Sequence, residues 1–112
     1  MSTQPQLDQK SDQIHHVAIP VTDIAASVAW YRQHFNCVIA HQDATWALLK
    51  FANVSLALVT SSQHPPHIGI IKVDATRLGP LTTHRDGTRS IYIPDPDNNQ
   101  IEVMDAASVR LA

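Results

Sequence analysis

Apolar and polar residues alternate from Ile14 to Val21, with His15, Val17, Ile19 and Val21 on one side and His16, Ala18 and Pro20 on the other. A period of two marks a strand, and Pro20, which cannot donate to a ladder, belongs at its end or at a sheet edge. The period then lengthens. Ile24, Val28, Tyr31 and Phe35 recur at helical spacing behind a capping residue at Thr22 or Asp23, and Asn36 suits a left-handed terminator. Cys37–His41, Thr45–Phe51 and Val54–Thr60 return to strand patterning, the last two joined by a tight turn at Ala52-Asn53. The first half therefore reads strand, helix, strand, strand, strand.

A polar, proline-containing linker follows at Ser61–Pro66, and His67–Val73 is a strand again. Gly79, Pro80 and Gly87 break residues 74–88 too often for a long helix. Arg89–Ile93 and Gln100–Met104 are strands around a turn at Asp95–Asn99. The second half is thus a shortened echo of the first, and an internal repeat changes the expected fold. Residues 1–13 are polar and aperiodic and read as a disordered N-terminal tail. The expected organisation is one domain over 14–105, with modules at 14–60 and 67–105 and a C-terminal tail at 106–112.

Composition narrows the class. A chain of 112 residues allows one domain, and 44% hydrophobic content suffices for a core. A net charge of −2 with scattered lysines and arginines argues against a nucleic-acid partner. The sequence has neither a long apolar run nor a signal-peptide pattern, so the expectation is a soluble, cytoplasmic protein with no membrane partner. Cys37 is the single cysteine, which excludes an internal disulfide and a cysteine-based zinc cluster. Seven histidines stand out.

Candidate chemistry concentrates in Tyr92-Ile-Pro-Asp95-Pro-Asp-Asn-Asn-Gln-Ile-Glu102. Glu102 sits in a short apolar strand between Ile101 and Val103 and points to the opposite face. A carboxylate there is costly unless something cationic faces it. Two other strands carry a histidine at a similar position, and the combination suggests a metal.

Ile14-His-His16-Val-Ala-Ile-Pro-Val-Thr-Asp23, followed by Ser27 and Trp30-Tyr31, resembles the opening of vicinal oxygen chelate proteins, the superfamily of glyoxalases, bleomycin-resistance proteins and extradiol dioxygenases. His67-Ile-Gly-Ile resembles the start of that superfamily's second module, and Asp95-Pro-Asp-Asn-Asn99-Gln-Ile-Glu102 its closing motif. The resemblance implies an α+β fold of paired βαβββ modules forming a cup-shaped mixed sheet, the second module shortened here. It also implies a divalent metal held by His16, His67 and Glu102. His64 is a rival to His67 for its position. A fourth ligand position on the last strand of the first module falls on Ala57. Two histidines and one carboxylate with open positions suit Fe(II) or Mn(II), with Zn or Ni as alternatives.

Thr82-Thr-His84, Ile91-Tyr92, Asp95-Pro96 and Glu102 look like the extradiol dioxygenase signature, departing at Asn98, where asparagine tolerates a left-handed turn. The resemblance implies catalytic, proton-moving roles for Tyr92 and His84. The bland readings are a packed strand tyrosine and a solvated loop histidine. His34 and His41 read as surface residues, Trp46 as a pocket floor or a core contact, and Trp30 as a half-exposed interface residue.

Only 35 positions separate His67 from Glu102, short for the superfamily by a helix or by a helix and a strand. Either loss would leave the cup open, and a homodimer is the natural way to close it. The function expected is a small metal-dependent enzyme acting on a small-molecule substrate that chelates the metal through two adjacent oxygens. Dioxygenase-like chemistry is slightly preferred over lyase or isomerase chemistry. The alternatives are a metal-free ligand-sequestering protein of the bleomycin-resistance type and a scaffold that has lost its function.

Overall fold

The computed structural model describes residues 11–109. β1 (Gln13–Pro20) leads into α1 (Ile24–His34), followed by β2 (Val38–Gln42), β3 (Trp46–Lys50) and β4 (Ser55–Val59). β5 (His67–Lys72) leads into a 3-10 turn at Ala75–Leu78, then β6 (Thr82–Thr83), β7 (Arg89–Pro94) and β8 (Gln100–Asp105), and a last 3-10 turn at Ala106–Ser108. All eight strands join one mixed sheet in the order β2-β3-β4-β1-β5-β8-β7-β6.

That order is symmetric about its middle. β1 pairs parallel with β4 and β5 parallel with β8, while β1 and β5 meet antiparallel. Each half is a strand, a helical element and three strands, so the paired βαβββ architecture is present with an open, cup-like sheet. The missing length in the second half is the helix. A four-residue 3-10 turn replaces it, and β6 is only two residues long.

Local sequence explains the elements. The Asp23 carboxylate accepts the Ala26 N–H at 3.0 Å and caps α1. The helix ends without a left-handed residue, which corrects the expectation for Asn36: Phe35 is extended, and its N–H donates to the Tyr31 carbonyl. Arg32 and His34 lie in the last turn, where the helix dipole favours positive charge. Asn98 does take the left-handed conformation, φ 66°, and closes the β7–β8 turn.

The ends of the fold differ slightly from the pattern in the sequence. β1 begins at Gln13, inside the segment expected to be a disordered tail, and residues 1–10 lie outside the described ones. At the other end the Ser108 hydroxyl accepts the Arg89 N–H at 2.9 Å, so the start of the expected C-terminal tail folds back on β7. Residues 110–112 lie outside the described ones.

One sheet face carries α1. Ile24 and Val28 of the helix pack on Ala47, Leu49 and Leu58, with Ile19, Leu56 and Phe51 around them. Leu49 and Leu58 are fully buried, and trimming either to alanine would cost about 2–5 kcal/mol. The opposite face of the same strands is the inside of the cup, floored by Ala18, Ala57 and Val59 with Trp46 and Leu48 against them. In the second half the short 3-10 turn rests on β7 and β8, with Ala75 fully buried.

Candidate metal centre

Three adjacent strands at the centre of the sheet build the site. His16 of β1 pairs with Gly69 of β5, and Gly69 pairs with Glu102 of β8. Cross-strand partners share a face, so His16, Gly69 and Glu102 form one row across the cup, and His67 lies two residues along β5 on the same face. The middle position of the row has no side chain. A Cβ on Gly69 would come within 2.2 Å of Cε1 and 2.5 Å of Nδ1 of His16. The imidazole and the carboxylate therefore reach each other across β5.

Their ligand atoms converge. His16 Nε2 lies 3.0 Å from His67 Nε2 and 3.2 Å from Glu102 Oε1, and His67 Nε2 lies 3.3 Å from that same oxygen. Metal–ligand bonds of about 2.0–2.2 Å at tetrahedral or octahedral angles separate neighbouring donors by roughly 3.0–3.5 Å. The observed triangle has that size and that donor chemistry. All three side chains are buried to nine-tenths or more, at 9%, 6% and 10% exposure.

The sequence matches the family described as the Glyoxalase/Bleomycin resistance protein/Dioxygenase superfamily over residues 13–76. The chain belongs to this superfamily. The matched span holds His16 and His67, whereas Glu102 lies beyond it. The fold is similar to that of a superfamily member from Vibrio splendidus 12B01, with a TM-score of 0.63 and 9% identity over 85% of this chain and 99% of that one. It is equally similar to a Legionella pneumophila protein named NAD-dependent benzaldehyde dehydrogenase, with a TM-score of 0.63 and 13% identity over 85% of this chain and 98% of that one. No curated protein matches the sequence.

On this superfamily fold, neighbouring groups orient each member of the triangle. The Pro65 carbonyl accepts from His67 Nδ1 at 2.8 Å, which turns the Nε2 lone pair inward. His16 Nδ1 lies 2.7 Å from His15 Nδ1, so a His16 ring that offers Nε2 as a ligand would donate its Nδ1–H to His15. His15 belongs to the opposite side by simple alternation, but the β1–β5 register shifts between Ile14 and His16 and brings its ring alongside.

The second carboxylate oxygen of Glu102 has its own partner: Ser90, on the neighbouring strand, donates its hydroxyl to Oε2 at 2.8 Å.

Charge follows the same geometry. Burial raises the Glu102 carboxyl, but its close contacts with the His16 and His67 rings and with the Ser90 hydroxyl outweigh it and hold the group far below the usual carboxylate range. Burial lowers His67, yet Glu102 and the Pro65 carbonyl together hold it above the ordinary imidazole value. Burial, then the charge of Glu102, push the Tyr92 phenol well up, so the hydroxyl keeps its proton.

Tyr92 pairs with Glu102 across β7 and β8, and its ring meets His67 edge-to-face at 5.2 Å between centroids. His84 Nε2 is 3.6 Å from Glu102 Oε2 and reaches it through Ser90, whose Oγ lies 2.7 Å away. Ala57, at the fourth position, is a buried residue of the cup floor and offers no donor. His64 is not part of the triangle. His34 and His41 are engaged locally, with the Trp30 carbonyl and with Asp43.

Gly69, Ser90 and His15 escaped the sequence reading. Ser90 had a signal: it stands two residues before Tyr92 on one strand and so shares its face.

Proposed function

We propose that this chain is a small metal-dependent enzyme in which His16, His67 and Glu102 hold a divalent cation, Fe(II) or Mn(II) in preference to Zn or Ni. The observation that carries the reading is the buried triangle of His16 Nε2, His67 Nε2 and Glu102 Oε1, with sides of 3.0, 3.2 and 3.3 Å. A buried carboxylate facing two imidazoles is expensive unless it is compensated. A cation compensates all three at once and leaves positions open on the cup side.

A divalent metal held there supplies Lewis acidity to a small substrate that presents two neighbouring oxygens. The chain's own residues do the rest. His67 and Glu102 are oriented by Pro65 and Ser90, and Ala18, Ala57 and Val59 give the cup an apolar floor. Tyr92, beside His67 with its phenol protonated, donates a hydrogen bond or a proton to substrate. Dioxygenase-like chemistry is slightly favoured over lyase or isomerase chemistry, because Ala57 supplies no fourth donor and because of where Tyr92 stands.

The protein works in the cytoplasm as a homodimer. Support for the dimer comes from the absent second helix and from exposed apolar side chains: Trp30 at 50%, Phe35 at 49% and Val38 at 65%. A second reading, metal-free sequestration of an apolar ligand, is favoured by the cup floor and disfavoured by the triangle.

Metal analysis of protein purified without chelators, alongside His16→Ala and Glu102→Ala, decides between them. The expected result is one equivalent of metal in the wild type and its loss in both variants. Wild-type protein that neither carries nor takes up Fe, Mn, Ni or Zn would sink the enzyme reading. Oxygen uptake with catechols, set against turnover of thiol adducts of ketoaldehydes, then selects the reaction.

A further inference from the structure

Glu102 turns its two oxygens toward two different neighbourhoods. Oε1 lies in the triangle, 3.2 Å from His16 and 3.3 Å from His67. Oε2 faces away, toward Ser90 Oγ at 2.8 Å. Ser90 is 1% exposed and has one hydroxyl proton, which this bond uses. His84 Nε2, 2.7 Å from the same hydroxyl oxygen, must then be the donor to it. The result is a directed chain from His84 N–H to the Ser90 hydroxyl to Glu102 Oε2.

Strand register builds this chain. Tyr92 is the direct partner of Glu102, and Ser90 is the partner of Met104, so Ser90 and Glu102 are diagonal neighbours on the cup face. The segment before β7 brings His84 over Ser90: its N–H donates to the Thr88 carbonyl, and its own carbonyl accepts the Gly87 N–H. Gly87 takes φ 89°, a conformation that favours glycine.

A carboxylate binds a metal through one oxygen or chelates it through both. Chelation needs the side chain to rotate so that both oxygens face the ion, and here that rotation would break the bond from the buried Ser90 hydroxyl. We propose that Ser90 is a positioning residue that keeps Glu102 a one-oxygen ligand, with His84 supporting Ser90 from behind. One more coordination position is thereby left for substrate oxygens. The inference rests on the metal reading of the triangle.

The test is Co(II) titration of the metal-free full-length chain, read by calorimetry and by the visible bands of the bound ion, for wild type, Ser90→Ala, Ser90→Thr and His84→Ala. Ser90→Ala is expected to bind Co(II) about 10–100-fold more weakly. Its bands should also lose intensity, because a chelating Glu102 raises the coordination number. Ser90→Thr restores the wild-type spectrum. His84→Ala, which removes a partly exposed ring, shifts the bands in the same direction by less. Wild-type affinity and wild-type bands in both alanine variants would overturn the role of Ser90 and leave the metal reading standing. A wild type that binds no Co(II) would overturn both.

Discussion

Gly69 stands between His16 and Glu102, and a Cβ at that position would lie 2.2 Å from Cε1 of the His16 ring. The triangle exists because the middle strand contributes nothing at its centre. Gly69→Ala must therefore displace the imidazole. Overpacking of this kind costs about 1–3 kcal/mol, which a folded domain survives. The expected outcome is a protein with a native circular dichroism spectrum, a lowered melting temperature and no measurable Co(II) binding. A Gly69→Ala variant that binds Co(II) as the wild type does would show that His16 is not part of the centre.

This relationship also shows where reading the sequence stops. Alternation placed His16 and Glu102 on the face away from the helix, and the Asp95–Asn99 turn was legible because Asn98 tolerates φ 66°. Gly69 is silent in the sequence, since a glycine on a strand face packs nothing. Its value comes from pairing with β1 and β8 at once, and pairing is tertiary information. Ser90 was hidden for the same reason, because a serine in a strand shows its partner only once the register with Met104 is known. His15 depended on an irregularity between Ile14 and His16, which no periodicity announces. The missing second helix was legible as missing length, but only the structure shows that the helix shrank while every strand stayed.

Metal should stabilise the fold by mass action. At a free concentration one hundred times the dissociation constant the gain is about 2.7 kcal/mol, a rise of roughly 10–20 °C for a domain of this size. Thermal melts with and without Mn(II) or Co(II) check this. His16→Ala, His67→Ala and Glu102→Ala should each lose most of the rise, while His34→Ala, on the exposed side of α1, should keep it. An equal rise in the three ligand variants would mean that the ion binds elsewhere.

Acid should weaken the fold partly through one turn. Asn99 first, and then Asp97, hold the Asp95 carboxyl below its ordinary 3.8. A group depressed in the folded state adds stability that is fully present above its unfolded value and is lost as pH falls through the folded one. The loss should therefore begin near pH 4 and grow with further acidification. Glu102 and Asp86 are depressed too and act in the same direction. Asp95→Ala should lower stability at neutral pH and make the acid limb of a melting-temperature profile shallower, without abolishing it. An unchanged acid limb would show that the turn does not contribute.

The two tryptophans lie on opposite sides of the sheet, which makes them separate reporters. Trp46 is on the cup floor against Ala18, Ala57 and Val59, stacked at 4.1 Å on His41, whereas Trp30 is half-exposed on α1 beside His34 and Phe35. A ligand that enters the cup changes the surroundings of Trp46 and leaves those of Trp30 alone. Trp30→Phe protein should therefore retain the full fluorescence response to a chelating ligand such as a catechol added after Mn(II), and Trp46→Phe should lose it. Because the ligand is expected to need the ion, Glu102→Ala should abolish the response in the Trp30→Phe background. A response that survives there would place an apolar ligand in the cup without metal, and so would favour sequestration over catalysis.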